Sequence, residues 1–189
     1  MEYTLPHRSL VKQITCFFVT AIGACAATQA EPGKGYVLTA YAGAAGADQL
    51  LTGHYSAALV TIRGTKGATA DSEVVRETNA CVAYVMLRRL PEARSACGRA
   101  VTAATADRSH AKGVVSRSRA QEDSVVATAL SNRAIVHALS KEVVGSAEDL
   151  AEAHSLAPQS DYVVRNIEAF KQLPSESGQL ALAARRVDD

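Results

Sequence analysis

The sequence predicts an all-α chain built from antiparallel helical hairpins that recur along its length. Three observations lead there. Apolar residues make up 48% of the chain but aromatics only 5%, with no Trp, so the core must come from Ala, Val and Leu. Such a composition favours helix, because Ala loses no side-chain entropy on entering one. No segment alternates with period two for long, and no Asn-Gly or Asp-Gly dipeptide marks a hairpin between strands. Asn79, Asn132 and Asn166 return within helical segments at related intervals. The 189 residues suit one domain, and a formal charge of +1 gives no support to nucleic-acid or anionic-membrane binding.

The N-terminal thirty residues read differently. Arg8 and Lys12 precede the uncharged run ITCFFVTAIGAC, and small residues follow up to Thr28-Gln29-Ala30. A basic start, a short apolar run and a small-residue end describe a secretory signal peptide, cut after Ala30 or after Ala27. A buried N-terminal helix is the alternative, disfavoured by Pro32, Gly33 and Gly35 immediately downstream. Ile22-Gly23-Ala24-Cys25 also resembles a bacterial lipobox, which would make Cys25 a lipidated N-terminus and the protein an outer-membrane lipoprotein. Otherwise the expected location is the periplasm. Cleavage after Ala30 removes Glu2, Arg8 and Lys12, balances the remaining charge and leaves two cysteines, Cys81 and Cys97.

Residues 31–39 carry Pro and two Gly and are expected to form a flexible leader. Residues 40–52 are Ala-rich and read as helix, with Gly53 interrupting and HYSAALVTIRG resuming it to Gly64. Residues 64–71 read as a loop. Over 72–89, Val75, Val82, Val85 and Met86 share one side of a helix. Pro91 opens the next, where its missing N–H costs nothing, and that helix runs to about Ala104. The polar, basic stretch 105–118 reads as a loop or a frayed end. A helix over 119–140, a break at Gly145, a helix over 146–156 closed by Pro158, and a last helix from a capping Asp161 to Leu173 follow. Residues 174–189 form a tail.

The hairpins repeat. Aligning Asn79 with Asn132 sets Cys81 on Ala134, Tyr84 on His137, Ala93 on Ser146, Cys97 on Leu150 and Ala100 on Ala153. Asn166 lies 34 residues after Asn132. An earlier unit fits 35 residues upstream, with Gly46, Gly53, Ala58 and Ile62 below Cys81, Arg88, Ala93 and Cys97. The interval of 53 between Asn79 and Asn132 is one repeat plus an insertion at about 105–118. Small residues at these positions let two helices approach to about 8 Å, and stacked hairpins then share a core that one alone cannot close.

With these residues the chain resembles the tetratricopeptide repeat (TPR) family, whose unit is about 34 residues. Leu130, Arg133, Ala134 and His137, then Ser146, Leu150, Ala153 and Pro158, follow the family's pattern. Glu77, Ala80, Cys81 and Tyr84, then Ala93, Cys97 and Ala100, follow it again, with Thr105 in place of the proline. The large aromatic positions hold smaller residues. The resemblance covers residues 40–173 and implies a TPR-like α-solenoid of about three hairpins, with a C-terminal capping helix around Asn166. It implies a concave face lined by Val75, Thr78, Val82, Val85 and Met86, then Thr128, Ser131, Ile135, Ala138 and Leu139. That face is apolar and uncharged, so the expected ligand is an apolar extended segment or amphipathic helix of a protein partner. The alternative is self-occlusion by the tail, whose LALAA would dock there.

No residue is assigned catalytic, cofactor-binding or metal-ligating work. Ser109-His110-Ala111-Lys112 matches S-x-x-K but lacks the accompanying elements of that chemistry. Gly64-Thr65-Lys66-Gly67 lacks the order of a phosphate-binding loop. His54, His110, His137 and His154 form no i, i+4 pair, and His137 is expected to pack. The basic run Arg108, His110, Lys112, Arg117 and Arg119 reads as solvated loop, or as a dock for an acidic partner or lipid headgroup. Cys81 and Cys97 flank the turn at Arg89 symmetrically, so antiparallel helices set them at one height. A disulfide worth about 3 kcal/mol is one reading, and two reduced core thiols the other. The expected protein is an exported adaptor of a bacterial cell envelope. A structural subunit of an envelope assembly, or a small enzyme or ligand carrier on a helical scaffold, is the alternative.

Overall fold

The computed structural model describes residues 13–14, 35–65, 72–110 and 118–173. The expected signal peptide with Cys25, most of the two loops and the tail lie outside them, apart from the backbone of two leader residues. Among the described residues the chain is predominantly helical. Two two-residue strands, β1 (Gln13–Ile14) and β2 (Leu38–Thr39), precede α1 (Ala47–Leu51), α2 (Tyr55–Gly64), α3 (Glu73–Met86), α4 (Leu90–His110), α5 (Arg119–Leu139), α6 (Val143–Leu156) and α7 (Asp161–Lys171). Each helix packs on the next, and α7 rests on both α5 and α6. No described helix is long and apolar enough to cross a membrane.

The repeat inferred from side chains is present in the backbone. Gly53, Arg88 and Lys141 all adopt left-handed φ angles of 79°, 58° and 62°. Each closes the same hydrogen-bonded turn. The N–H of residue 53, 88 or 141 bonds the carbonyl three back, and the next N–H reaches five back: His54 to Gln49 at 2.8 Å, Arg89 to Tyr84 at 2.9 Å, Glu142 to His137 at 2.8 Å. This pair of bonds is the Schellman arrangement, which satisfies carbonyls left over at a helix end. The following helices begin at Tyr55, Leu90 and Val143, in the same register.

The small residues meet where the hairpins cross. Ala58, Ala93 and Ser146 are buried, as are Cys81, Ala134, Ala100 and Ala153. Gly46 has no room for a side chain: an added Cβ would lie 2.8 Å from Ile62 Cγ1 and 2.9 Å from the Ala58 carbonyl oxygen. In the second unit the same contact carries a disulfide, Cys81–Cys97, with the Cα atoms 5.0 Å apart. Of the two readings open from spacing, the bonded one holds.

Several boundaries differ from expectation for local reasons. α1 starts at Ala47 rather than Ala40, because residues 36–41 run extended and Gly43 and Gly46 turn the chain at φ 78° and 77°. The leader expected to be flexible over 31–39 is therefore buried core at Val37, Leu38 and Thr39. α4 continues to His110, beyond the loop boundary expected near residue 105. Gly145 lies inside α6 instead of breaking it, since the turn occurs at Lys141; its missing side chain admits the His137 ring, 3.3 Å from an added Cβ. Ser160 rather than Asp161 is the N-cap of α7. Two caps went unread in the sequence. Ser72 accepts from the Val75 N–H, and Ser118 forms a reciprocal capping box with Gln121.

Two apolar clusters form the core. One joins α4, α5, α6 and α7 around Leu130, Leu150, Val163 and Phe170, and includes Val37. The other joins α1, α2, α3, α4 and α5 around Leu50, Ile62, Val82 and Ile135, and includes Leu38 and Ala40. The extended segment thus stitches the two clusters together.

Candidate functional site

The site is built on three buried asparagines. Asn79 sits on α3, Asn132 on α5 and Asn166 on α7, each at the same place in its unit. A helix satisfies its own backbone, so a primary amide in its buried face needs partners from elsewhere. All three find them in the main chain of one segment. Val37 donates to Asn166 Oδ1 at 2.7 Å and accepts from Asn166 Nδ2 at 2.9 Å. Thr39 does the same with Asn132 at 3.0 and 2.8 Å. Tyr41 completes the series with Asn79 at 2.8 and 3.1 Å.

The geometry follows from two periods. In an extended chain, residues i, i+2 and i+4 turn their main-chain groups to one edge. α3, α5 and α7 present one asparagine each, so alternate residues meet successive asparagines. The chain runs from Asn166 to Asn79, against the order of the units. Asparagine suits the task because its amide carries a donor and an acceptor side by side, as a peptide group does. The contact reads main chain and is indifferent to side chains. Asn166 Nδ2 also donates to Ser131 Oγ at 2.8 Å, and Thr128 Oγ1 meets the Tyr162 hydroxyl at 2.7 Å, which steadies α7 on α5.

The residues expected to line an open concave face are placed together but not open. Thr78, Val82, Val85, Thr128, Ser131, Ile135 and Ala138 are buried, while Val75, Met86 and Leu139 are half-buried. Val82, Val85 and Ile135 share a cluster with Leu38 and Ala40, so the chain's own residues 36–41 occupy the face. That is a correction to the expected empty groove. The expected tail segment lies outside the described residues and is not needed to fill it. In the sequence the asparagines mark the register and are not among the expected lining. The signal that could have found them is a polar residue recurring mid-face among apolar neighbours.

A charged cluster joins α4, α5 and α6. Arg133 grips Asp149 through two bonds, at 2.8 and 2.6 Å. His137 Nδ1 lies 2.6 Å from Glu142 Oε2, and Arg94 of α4 donates to the same carboxylate. Arg94 first and His137 second hold the Glu142 carboxyl down at about 2. Tyr84, the counterpart of His137, accepts from Arg63 and has Arg89 over its ring at 5.1 Å. These are packing and pairing roles, as expected for His137. Burial pushes the Tyr36 phenol above its usual range. The side chains of Ser109, His110 and Lys112 lie outside the description. Among the described residues no group of His, Cys, Asp and Glu is arranged to hold a metal ion.

Compared with known proteins, the chain matches no family model, no curated protein and no solved structure.

Proposed function

We propose that this chain is an exported, non-enzymatic TPR-like adaptor of a bacterial cell envelope, whose concave face handles an extended apolar segment. On this reading α1–α2, α3–α4 and α5–α6 are the hairpins of a short solenoid and α7 is its cap. The observation that carries it is the asparagine ladder: three side chains at repeat spacing grip one extended main chain by paired hydrogen bonds. That is the chemistry of a peptide-binding face, with the chain's own residues 37–41 as its resident occupant. The Cys81–Cys97 disulfide supports an oxidising compartment, and therefore export. The resident strand favours a second reading, a structural subunit of an envelope assembly, because a filled face is also a rigid one.

The test is photocrosslinking in the native host. A photoreactive residue at exposed Ala42, beside the strand, should capture one envelope protein, while the same residue at exposed Glu152 on α6 should not. Equal capture from both positions, or none, would remove the adaptor reading. The intact mass of the protein recovered from the envelope separately tests leader cleavage.

A further inference from the structure

A strand has two edges, and the asparagines use one. Val37, Thr39 and Tyr41 turn their main-chain groups toward the ladder, so those of Leu38 and Ala40 point to the opposite side. β1 lies on that outer edge, antiparallel, with Gln13 opposite Thr39 and Ile14 opposite Leu38. Thr39 already commits its N–H and its C=O to Asn132. The hydrogen-bonded pair across the two strands is therefore Ile14 with Leu38. The outer edge thus accepts an added antiparallel strand, through main chain alone.

β1 lies within the segment read as a leader. Cleavage after Ala30 or Ala27 takes Gln13 and Ile14 away and leaves the outward N–H and C=O of Leu38 without Ile14. We infer that the outer edge of β2 is a docking edge, and that its occupant after cleavage is an extended apolar segment of a partner protein, added in the register of Ile14 on Leu38. The inference rests on the export and adaptor reading above and specifies its mode of capture. The asparagines order β2 in advance, so only the incoming segment has to lose freedom. Half-buried Tyr36, Met86 and Leu139 pack against the cluster that holds Leu38. An open strand edge is a template for a second chain, and covering it removes that liability.

The experiment follows single amides by hydrogen exchange in the protein recovered after export, its N-terminus read by mass. The probe is a synthetic peptide of residues 10–17 with Cys16→Ser. Thr39 and Val37 are internal references, since the ladder protects them in every state. In the processed chain the Leu38 amide should exchange at least about tenfold faster than Thr39, and the peptide should slow it by a similar factor. The same peptide N-methylated at the Ile14 position should not, because it cannot donate to the Leu38 carbonyl. A Leu38 amide already slow in the processed chain overturns the proposal: with a doubled solution mass a second copy is the occupant, and with a single mass the chain's own tail is. Equal binding of the methylated peptide overturns it too. If the recovered protein retains residues 1–30, the cleavage reading fails on its own. Ile14→Pro in that full chain should then free the Leu38 amide and admit the peptide, and failure to do so sinks the docking edge independently.

Discussion

Asn132 and Thr39 lie 93 residues apart in sequence, yet they exchange two hydrogen bonds at 3.0 and 2.8 Å in the middle of the core. The side-chain amide takes the place that a neighbouring strand would have. Asn132→Ala should therefore leave an N–H and a C=O of Thr39 unpaired and buried. At about 1–3 kcal/mol for each, the loss is about 2–6 kcal/mol. Asn132→Asp keeps the acceptor, loses the donor and turns a carboxylate toward the Thr39 carbonyl, so it should be no milder. Asn79→Ala, whose partner Tyr41 is only part-buried, should cost less than either. Urea midpoints of the three variants order them, and a variant Asn132→Ala as stable as the parent would remove the ladder from the account.

The disulfide makes a second, separable contribution. Cys81 and Cys97 close a loop of α3, its turn and the start of α4. Replacing both with Ala should lower stability by about 3 kcal/mol on chain-entropy grounds. Ala fits the Cys81 site, whose equivalents are Ala134 and Gly46, whereas the Cys97 site holds Leu150 and Ile62 in the other units, so Ala there adds a small packing loss. Unreduced mass spectrometry should find neither thiol free. Two alkylated cysteines in the exported protein would show the bond absent.

The three left-handed turns give a prediction of opposite sign. Arg88 and Lys141 hold φ angles of 58° and 62° that side chains resist, whereas Gly53 holds 79° freely. Arg88→Gly and Lys141→Gly should each stabilise by about 0.5–1 kcal/mol, and Gly53→Ala should destabilise by about 1 kcal/mol. Thermal melting distinguishes them. Arg88 takes part in a further interaction, so Lys141→Gly is the cleaner measurement.

Glu142 adds a pH dependence. Arg94 and His137 hold its carboxyl at about 2, below the ordinary 4.5. A carboxylate whose folded pKa is depressed contributes stability that is fully present above the unfolded value and lost as pH falls toward the folded one. Stability should therefore decline between about pH 5 and pH 2, and Glu142→Gln should flatten part of that decline. The side chain is exposed, so salt should flatten it as well. Urea midpoints at pH 6, 4 and 3, with and without salt, check both effects.

Much of the helical plan was legible in the residues. Pro91, Gly53 and Pro158 punctuate the chain where helices stop or start, and these effects act within a few bonds. The matched small residues, Cys81 with Ala134 and Ala93 with Ser146, fixed the register because packing distance admits nothing larger at a crossing. Boundaries slipped where a local signal was read too literally. Gly145 looked like a stop, but its bare Cα is space for His137, which only the fold brings near. Ser72 and Ser118 each start a helix, a signal that apolar spacing alone does not carry.

What the sequence by itself determined is the set of helices, their period and the small residues between them, since propensity, turns and spacing are properties of neighbouring residues. What only the tertiary structure decided is the use of the inner face. Val37 and Thr39 look like the end of a leader and Tyr41 like the start of a helix, and Asn79, Asn132 and Asn166 look like markers on three separate helices. Their pairing spans up to 129 positions and joins main chain to side chain. No local pattern encodes such a contact: it exists only once the hairpins stand side by side and their buried amides are left wanting a strand.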